Sequence, residues 1–170
     1  KEDWLQTKAV VGLFPANSVG DDIEIYKDEQ RSEVIYTQRT LRQEAKKATG
    51  QANLALADFI APKSSGILDY IGGFVVTSGH GVDEKVALFE KNNDDYNAIL
   101  LKSLADRLAE AFTEYLHELV RKEIWAYAHD EIFSNEQLIQ EKYQGIRPAP
   151  GYPACPDHLE KIGLFTILDA

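Results

Sequence analysis

The sequence predicts an α+β fold: a single domain with a mainly antiparallel twisted sheet, one long amphipathic helix and shorter helices. Three observations lead there. Short apolar or alternating runs separated by polar turns crowd the stretch before Gly81. A run from Asp94 to Tyr127 contains no Gly or Pro and places apolar residues at helical spacing. No internal repeat, low-complexity tract or linker divides the chain, so strands come early and helices dominate later.

Taken in order, Thr7–Phe14 (TKAVVGLF) reads as a buried strand, and Pro15–Gly20 as the loop that follows it. Ile23-Glu24-Ile25-Tyr26 alternates as a half-buried strand should, and Glu33–Thr37 returns from it after a polar turn. Leu41–Ala48 (LRQEAKKA) predicts a helix stopped near Gly50. Leu54–Ile60 leads into a surface loop, Ala61–Gly66. Tyr70–Thr77 (YIGGFVVT) predicts a strand with a Gly-Gly interruption, and Gly79-His80-Gly81 the next turn. In the long helix, Tyr96, Leu100, Leu104, Leu108, Phe112, Tyr115, Leu119 and Val120 form the apolar row, with charges on the other face. Ser134 with Gln137 makes a capping box for a short helix reaching about Tyr143.

Composition narrows the function classes. The chain has 170 residues, 44% hydrophobic and 27% charged, enough apolar content for a packed core. A net charge of −10 argues against nucleic acid, which needs a basic face. Cys155 is the only cysteine, so no internal disulfide exists and a reducing compartment is expected. No apolar run approaches the roughly 18 residues of a membrane span, and KEDWLQTK lacks a signal-peptide core. The expected location is the cytoplasm, with no membrane partner.

The most distinctive string is Gln144–His158 (QGIRPAPGYPACPDH). Pro148, Pro150, Pro153 and Pro156 fix φ and remove backbone donors, so this stretch must be extended. A stiff extended chain loses little entropy on binding and offers its remaining polar backbone to a ligand. Arg147 adds a planar donor fork suited to a carboxylate, and Tyr152 a ring with a hydroxyl. Those are the parts of a site for an amino-acid-like ligand; a Pro-rich connector packed on the surface is the alternative.

Asp106 and Glu110 lie four apart on one helix face, where a nearby cation would relieve their repulsion, or where Arg107 and Lys102 would simply neutralise them. Cys155 and His158, spaced C-x-x-H, lack the further ligands a zinc site requires. Asp21-Asp22 with Glu24 lacks the EF-hand pattern, and the glycine pairs lack phosphate-loop spacing. Neither a metal ligand set nor a catalytic residue is assigned.

The string RPAPGYPACPDH carries Arg-x-x-x-Gly-Tyr and resembles the activation domain of cobalamin-dependent methionine synthase. VVGLFPAN, VGDDIEIY, LADFIAPK, DYIGGFVVT, NDDYNAI and LADRLAEAFTEYLHE are similar to the same family, so the resemblance spans most of the chain. It implies S-adenosylmethionine as the bound cofactor. Arg147 would hold the ligand carboxylate, and backbone of Pro148, Ala149, Gly151 and Tyr152 would bind the rest. Asp106 and Glu110 would border the sulfonium, and Tyr152 would face the cobalamin.

The enzyme resembled transfers a methyl group from 5-methyltetrahydrofolate to homocysteine through protein-bound cobalamin. Its activation domain presents S-adenosylmethionine for reductive methylation of inactive cob(II)alamin. The implied partners are the cobalamin-binding domain of the same enzyme and flavodoxin or a flavoprotein reductase. The family site also uses segments upstream and downstream that have no counterpart here, so residues 1–170 are expected to be a fragment of that domain, silent by itself. The competing expectation is a docking or structural domain whose proline-rich loop and acidic face contact the cobalamin domain or the flavoprotein reductant, and which binds no small molecule by itself.

Overall fold

The computed structural model describes residues 5–170. The elements are β1 (Gln6–Val19), β2 (Asp22–Tyr26), β3 (Val34–Arg39), β4 (Asp69–His80), α1 (Val82–Lys91), α2 (Asp95–Leu119), α3 (Asn135–Ile139) and α4 (Glu160–Leu168), with 3-10 turns at Leu56–Phe59 and Lys63–Ser65. The strands form one sheet in the order β3-β2-β1-β4, antiparallel where β2 meets β1 and β3, so the α+β expectation holds. The described residues group into two compact units: Val11–Phe74 with Ile146–Ala170, and Val75–Gly145 with residues 5–10. Among the described residues no helix is long and apolar enough to cross a membrane.

The first unit is built on the β1-β2-β3 hairpins. Alternation in β2 sends Ile23 and Ile25 into a core with Ala16 and Ala57, packed by Phe14, Tyr36, Ile71 and Ile167. Each buried isoleucine contributes about 1.5–3 kcal/mol. Between them Glu24 turns out to meet Lys63 (2.6 Å) and the Tyr26 hydroxyl (2.8 Å). These ties hold its carboxyl below the usual range. Helix α4 closes on β3 at Gly163, where a Cβ would meet the Tyr36 ring at 2.7 Å, so only glycine permits the approach.

Several expectations fail here: Thr7–Phe14 is a strand but not a buried one, with residues 7–10 exposed and 11–14 half-buried. Pro15–Gly20 is not a loop, because β1 continues to Val19. Pro15 precedes the first β1–β2 pair, Ala16↔Ile25, so no β2 carbonyl requires the donor it lacks. Beyond it Ser18 Oγ donates to the Ile60 carbonyl (2.9 Å), and Asn17 Nδ2 to Ala61 (3.0 Å) and Ile67 (2.9 Å). Leu41–Ala48 forms no helix. Eight residues nucleate a helix poorly. Tertiary bonds take the segment instead: Arg42 grips Asp58 (2.6 and 2.8 Å) and Asp21 (2.5 Å), and Gln43 N donates to Leu54 O (2.9 Å).

In the other unit, β4 runs through Gly79 and His80, so only Gly81 of the expected turn actually turns, at φ 84°, to cap α1. Helix α1 was not anticipated. The long helix exists, but α2 ends at Leu119 and passes into a π-type turn, Val120–Ile124. Only the C-terminal part of the expected apolar row is covered, with Val120 buried and Phe112 and Leu119 half-buried; Tyr96 is 75% and Leu100 50% exposed, and Leu104 and Tyr115 are exposed as well. The buried face is Ala98, Leu101 and Ala105 against Val82 and Val86, with Leu5 and Phe89. Small alanines let α1 approach closely, which a row of leucines and tyrosines would prevent. The Ser134–Gln137 capping box forms reciprocally, though α3 stops at Ile139 rather than near Tyr143.

The π turn brings Arg121 inward. Its guanidinium, 1% exposed, donates to Glu131 through Nε (3.1 and 3.0 Å) and Nη2 (2.5 Å). Its Nη1 meets His117 Nδ1 at 2.7 Å, and the Tyr143 ring lies 4.5 Å away.

Candidate functional site

The proline-rich segment has neither helix nor strand from Ile146 to Ala149, around Pro148, but it does not stay extended to His158 as expected. It then folds into a tight turn. Tyr152 N donates to Ala149 O (2.9 Å), Gly151 N to Cys155 O (2.7 Å) and Cys155 N to Tyr152 O (2.9 Å). Gly151 sits at φ 103°, a conformation other residues resist, and the His158 imidazole occupies the space a Cβ would need. From the other side Gln43 Nε2 donates to the Pro153 carbonyl.

Arg147, Pro148, Ala149, Gly151 and Tyr152 are therefore brought together on one short ledge. Arg147 and Pro148 are half-buried, Ala149 and Gly151 exposed, and Tyr152 is 64% exposed with its ring available. A guanidinium fork at one end and an aromatic ring at the other bracket a backbone largely stripped of N–H donors. That arrangement suits a ligand carrying a carboxylate and a flat group.

Asp106 and Glu110 belong to α2, in the unit that does not contain the ledge. Both are exposed; Glu110 accepts from Arg107 Nη1 at 2.7 Å. Asp106 lines a shallow cleft of about 350 Å³ with Thr77, Ser78, Asp83 and Lys102.

The set-aside residues have clear partners. Asp22 pairs with Arg39 and Asp21 with Arg42, which accounts for the acidic turn. Cys155 is 3% exposed and its Sγ donates to Glu160 Oε2 at 2.9 Å. Burial and that carboxylate push the thiol's pKa far up, which favours the S–H form that donates to Glu160. Among the described residues no three His, Cys, Asp or Glu side chains converge as a metal site. Sequence reasoning missed the supports of the ledge: Gln43 is 110 positions from Pro153, and no local pattern marks Glu160 as the acceptor of the thiol.

Residues 1–170 match the family described as vitamin B12 dependent methionine synthase, activation domain. Among solved structures, the crystal structure of the MetH reactivation domain bound to AdoHcy aligns with a TM-score of 0.91 and 61% identity. The alignment covers 98% of this chain and 51% of that one, so the chain spans about half the length of its structural relative. With a match from the first residue to the last, the chain belongs to the activation-domain family of vitamin B12-dependent methionine synthase.

Proposed function

We propose that this chain carries the ledge on which a methionine synthase activation domain presents S-adenosylmethionine to the cobalamin of a partner domain. The observation that supports this most directly is the Arg147–Tyr152 ledge itself, in a chain of this family. Arg147 pairs with the ligand carboxylate as a fork, which fixes direction as well as affinity. Backbone at Pro148, Ala149 and Gly151 lies along the ligand, and Tyr152 shields the side turned to the corrin.

Bound S-adenosylmethionine supplies an electrophilic methyl group. This chain's own residues supply position: holding the reacting partners in line is a proximity effect and needs no general base. The chain by itself is thus not catalytic, and the methyltransferase activity belongs to the whole enzyme. The cobalamin-binding domain and an electron donor, flavodoxin or a flavoprotein reductase, are its partners, in the reducing cytoplasm where a lone thiol stays reduced.

Titration calorimetry with S-adenosylmethionine tests the reading. Arg147→Ala is expected to weaken binding by about 10- to 150-fold, the range for losing a hydrogen-bonded charged partner. Equal affinity in the variant removes the clamp.

A second reading, docking, is favoured by the uncovered apolar row of α2. A contiguous row containing Tyr96, Leu100 and Leu104 is the kind of surface that another part of the polypeptide covers. The structural relative is about twice as long as this chain, and we propose the additional half as the occupant. Leu100→Glu with Leu104→Glu should leave this chain folded while weakening its binding to that half. A variant that binds as well as wild type, or a wild-type chain that instead dimerises through α2, overturns the assignment.

A further inference from the structure

The ledge is held by Gln43 at the Pro153 carbonyl and, within its turn, chiefly through one residue. Of its three turn-forming backbone bonds, two involve Cys155, as acceptor from Gly151 (2.7 Å) and donor to Tyr152 (2.9 Å). The prolines cannot donate, so nothing internal replaces these bonds. What fixes Cys155 is its side chain, whose thiol donates to Glu160 Oε2 at 2.9 Å with both residues buried, at 3% and 6% exposure. Glu160 opens α4, where a carboxylate is favoured by the helix N-terminus. That helix is in turn seated on β3 through Gly163, Tyr36 and Gln38. On the other side of the turn the His158 ring fills the space beside Gly151 at φ 103°.

We infer that Cys155, Glu160 and His158 are positioning residues that connect the ledge to the sheet: the thiol–carboxylate bond holds the turn, and the imidazole holds Gly151 in its left-handed conformation. The inference rests on the ligand-binding reading of Arg147–Tyr152 for its functional meaning, but the latch exists independently of any ligand. It makes a distinction that plain packing does not. A cysteine that merely fills space is replaced better by alanine than by serine, because a buried hydroxyl is costly without a partner. A cysteine that acts as a donor is replaced better by serine, which keeps the bond to Glu160.

Two measurements on the 170-residue chain decide it. Amide hydrogen exchange by NMR should show Gly151 exchanging about tenfold faster or more in Cys155→Ala, while Cys155→Ser stays close to wild type, as expected for one bond to a charged group. Amides of β2 should be unchanged in both. His158→Ala should also accelerate Gly151; no change there removes the imidazole from the latch. Alanine and serine variants that behave alike, or a serine variant that is the worse of the two, overturn the inference. In calorimetry with S-adenosylmethionine, Cys155→Ala should weaken binding by about tenfold and Cys155→Ser should restore it. Wild-type binding with an unaffected alanine variant overturns the positioning role. Absence of binding by wild type counts against the proposed function instead, and exchange at Gly151 still decides the latch.

Discussion

Glu131→Ala removes the carboxylate on which Arg121 spends three contacts, at 3.1, 3.0 and 2.5 Å. The guanidinium is 1% exposed and cannot turn to water, so it is left with His117 Nδ1 at 2.7 Å and the Tyr143 ring at 4.5 Å. Neither neutralises its charge. Breaking a buried pair from one side costs about 3–5 kcal/mol, a large part of the roughly 5–15 kcal/mol by which a domain is stable. At about 2–4 °C per kcal/mol for a chain of this length, the melting temperature should fall by about 6–20 °C. Glu131→Gln keeps one acceptor and should lose less. Replacing both partners, Arg121→Met with Glu131→Leu, removes the stranded charge as well and should recover most of the loss. Urea denaturation followed by circular dichroism and tryptophan fluorescence measures this, because Trp125 directly follows the π turn and its ring lies 5.4 Å from that of Tyr127. A cost below about 1 kcal/mol for Glu131→Ala, or a double variant no more stable than the single one, refutes the account.

Other expectations follow from the same structure. The Arg42 guanidinium, aided by the Ala55 amide, holds the Asp58 carboxyl at about 2 instead of 3.8. A carboxyl lowered on folding stabilises fully above its unfolded pKa, so this contribution should fade as pH falls from about 4 toward 2. Arg42→Met should flatten the stability profile in that window; an unchanged acid limb contradicts it. Gly163→Ala forces a Cβ toward the Tyr36 ring and the Gln38 side chain, and overpacking of this kind costs about 1–3 kcal/mol. The same substitution should loosen the Gly151 amide through α4, detectable by hydrogen exchange; a fully protected Gly151 would sever α4 from the ledge.

The sequence by itself determined what is decided over short distances. Ile23, Glu24 and Ile25 alternate because a strand has a period of two, and Ser134 with Gln137 caps α3 through bonds three residues apart. Prolines at 148, 150, 153 and 156 keep Gln144–His158 out of helix and central strand whatever surrounds them, so an irregular segment was legible there without coordinates, but the turn that Ala149–Cys155 makes was not. The family resemblance was legible for the same reason, being carried by contiguous strings.

Tertiary structure decided everything that depends on which surface meets which. Helical spacing identified α2, but not that Ala98, Leu101 and Ala105 would pack while Tyr96, Leu100 and Leu104 stayed uncovered, since close helix approach favours small residues. Leu41–Ala48 has helix-forming composition, yet Arg42 is held to Asp58 and Asp21 in an irregular path because those carboxylates arrive from elsewhere in the chain. Helix α4 is apolar nearly all round and shows no period to read until β3 lies beneath it. The bond from Cys155 to Glu160 spans only five residues, but a thiol gains a meaning as donor only when burial keeps it protonated and a fixed helix end presents the acceptor. Sequence sets local conformation through sterics and short-range bonds. Only the folded chain settles the dielectric and the neighbours that give a buried polar group its role.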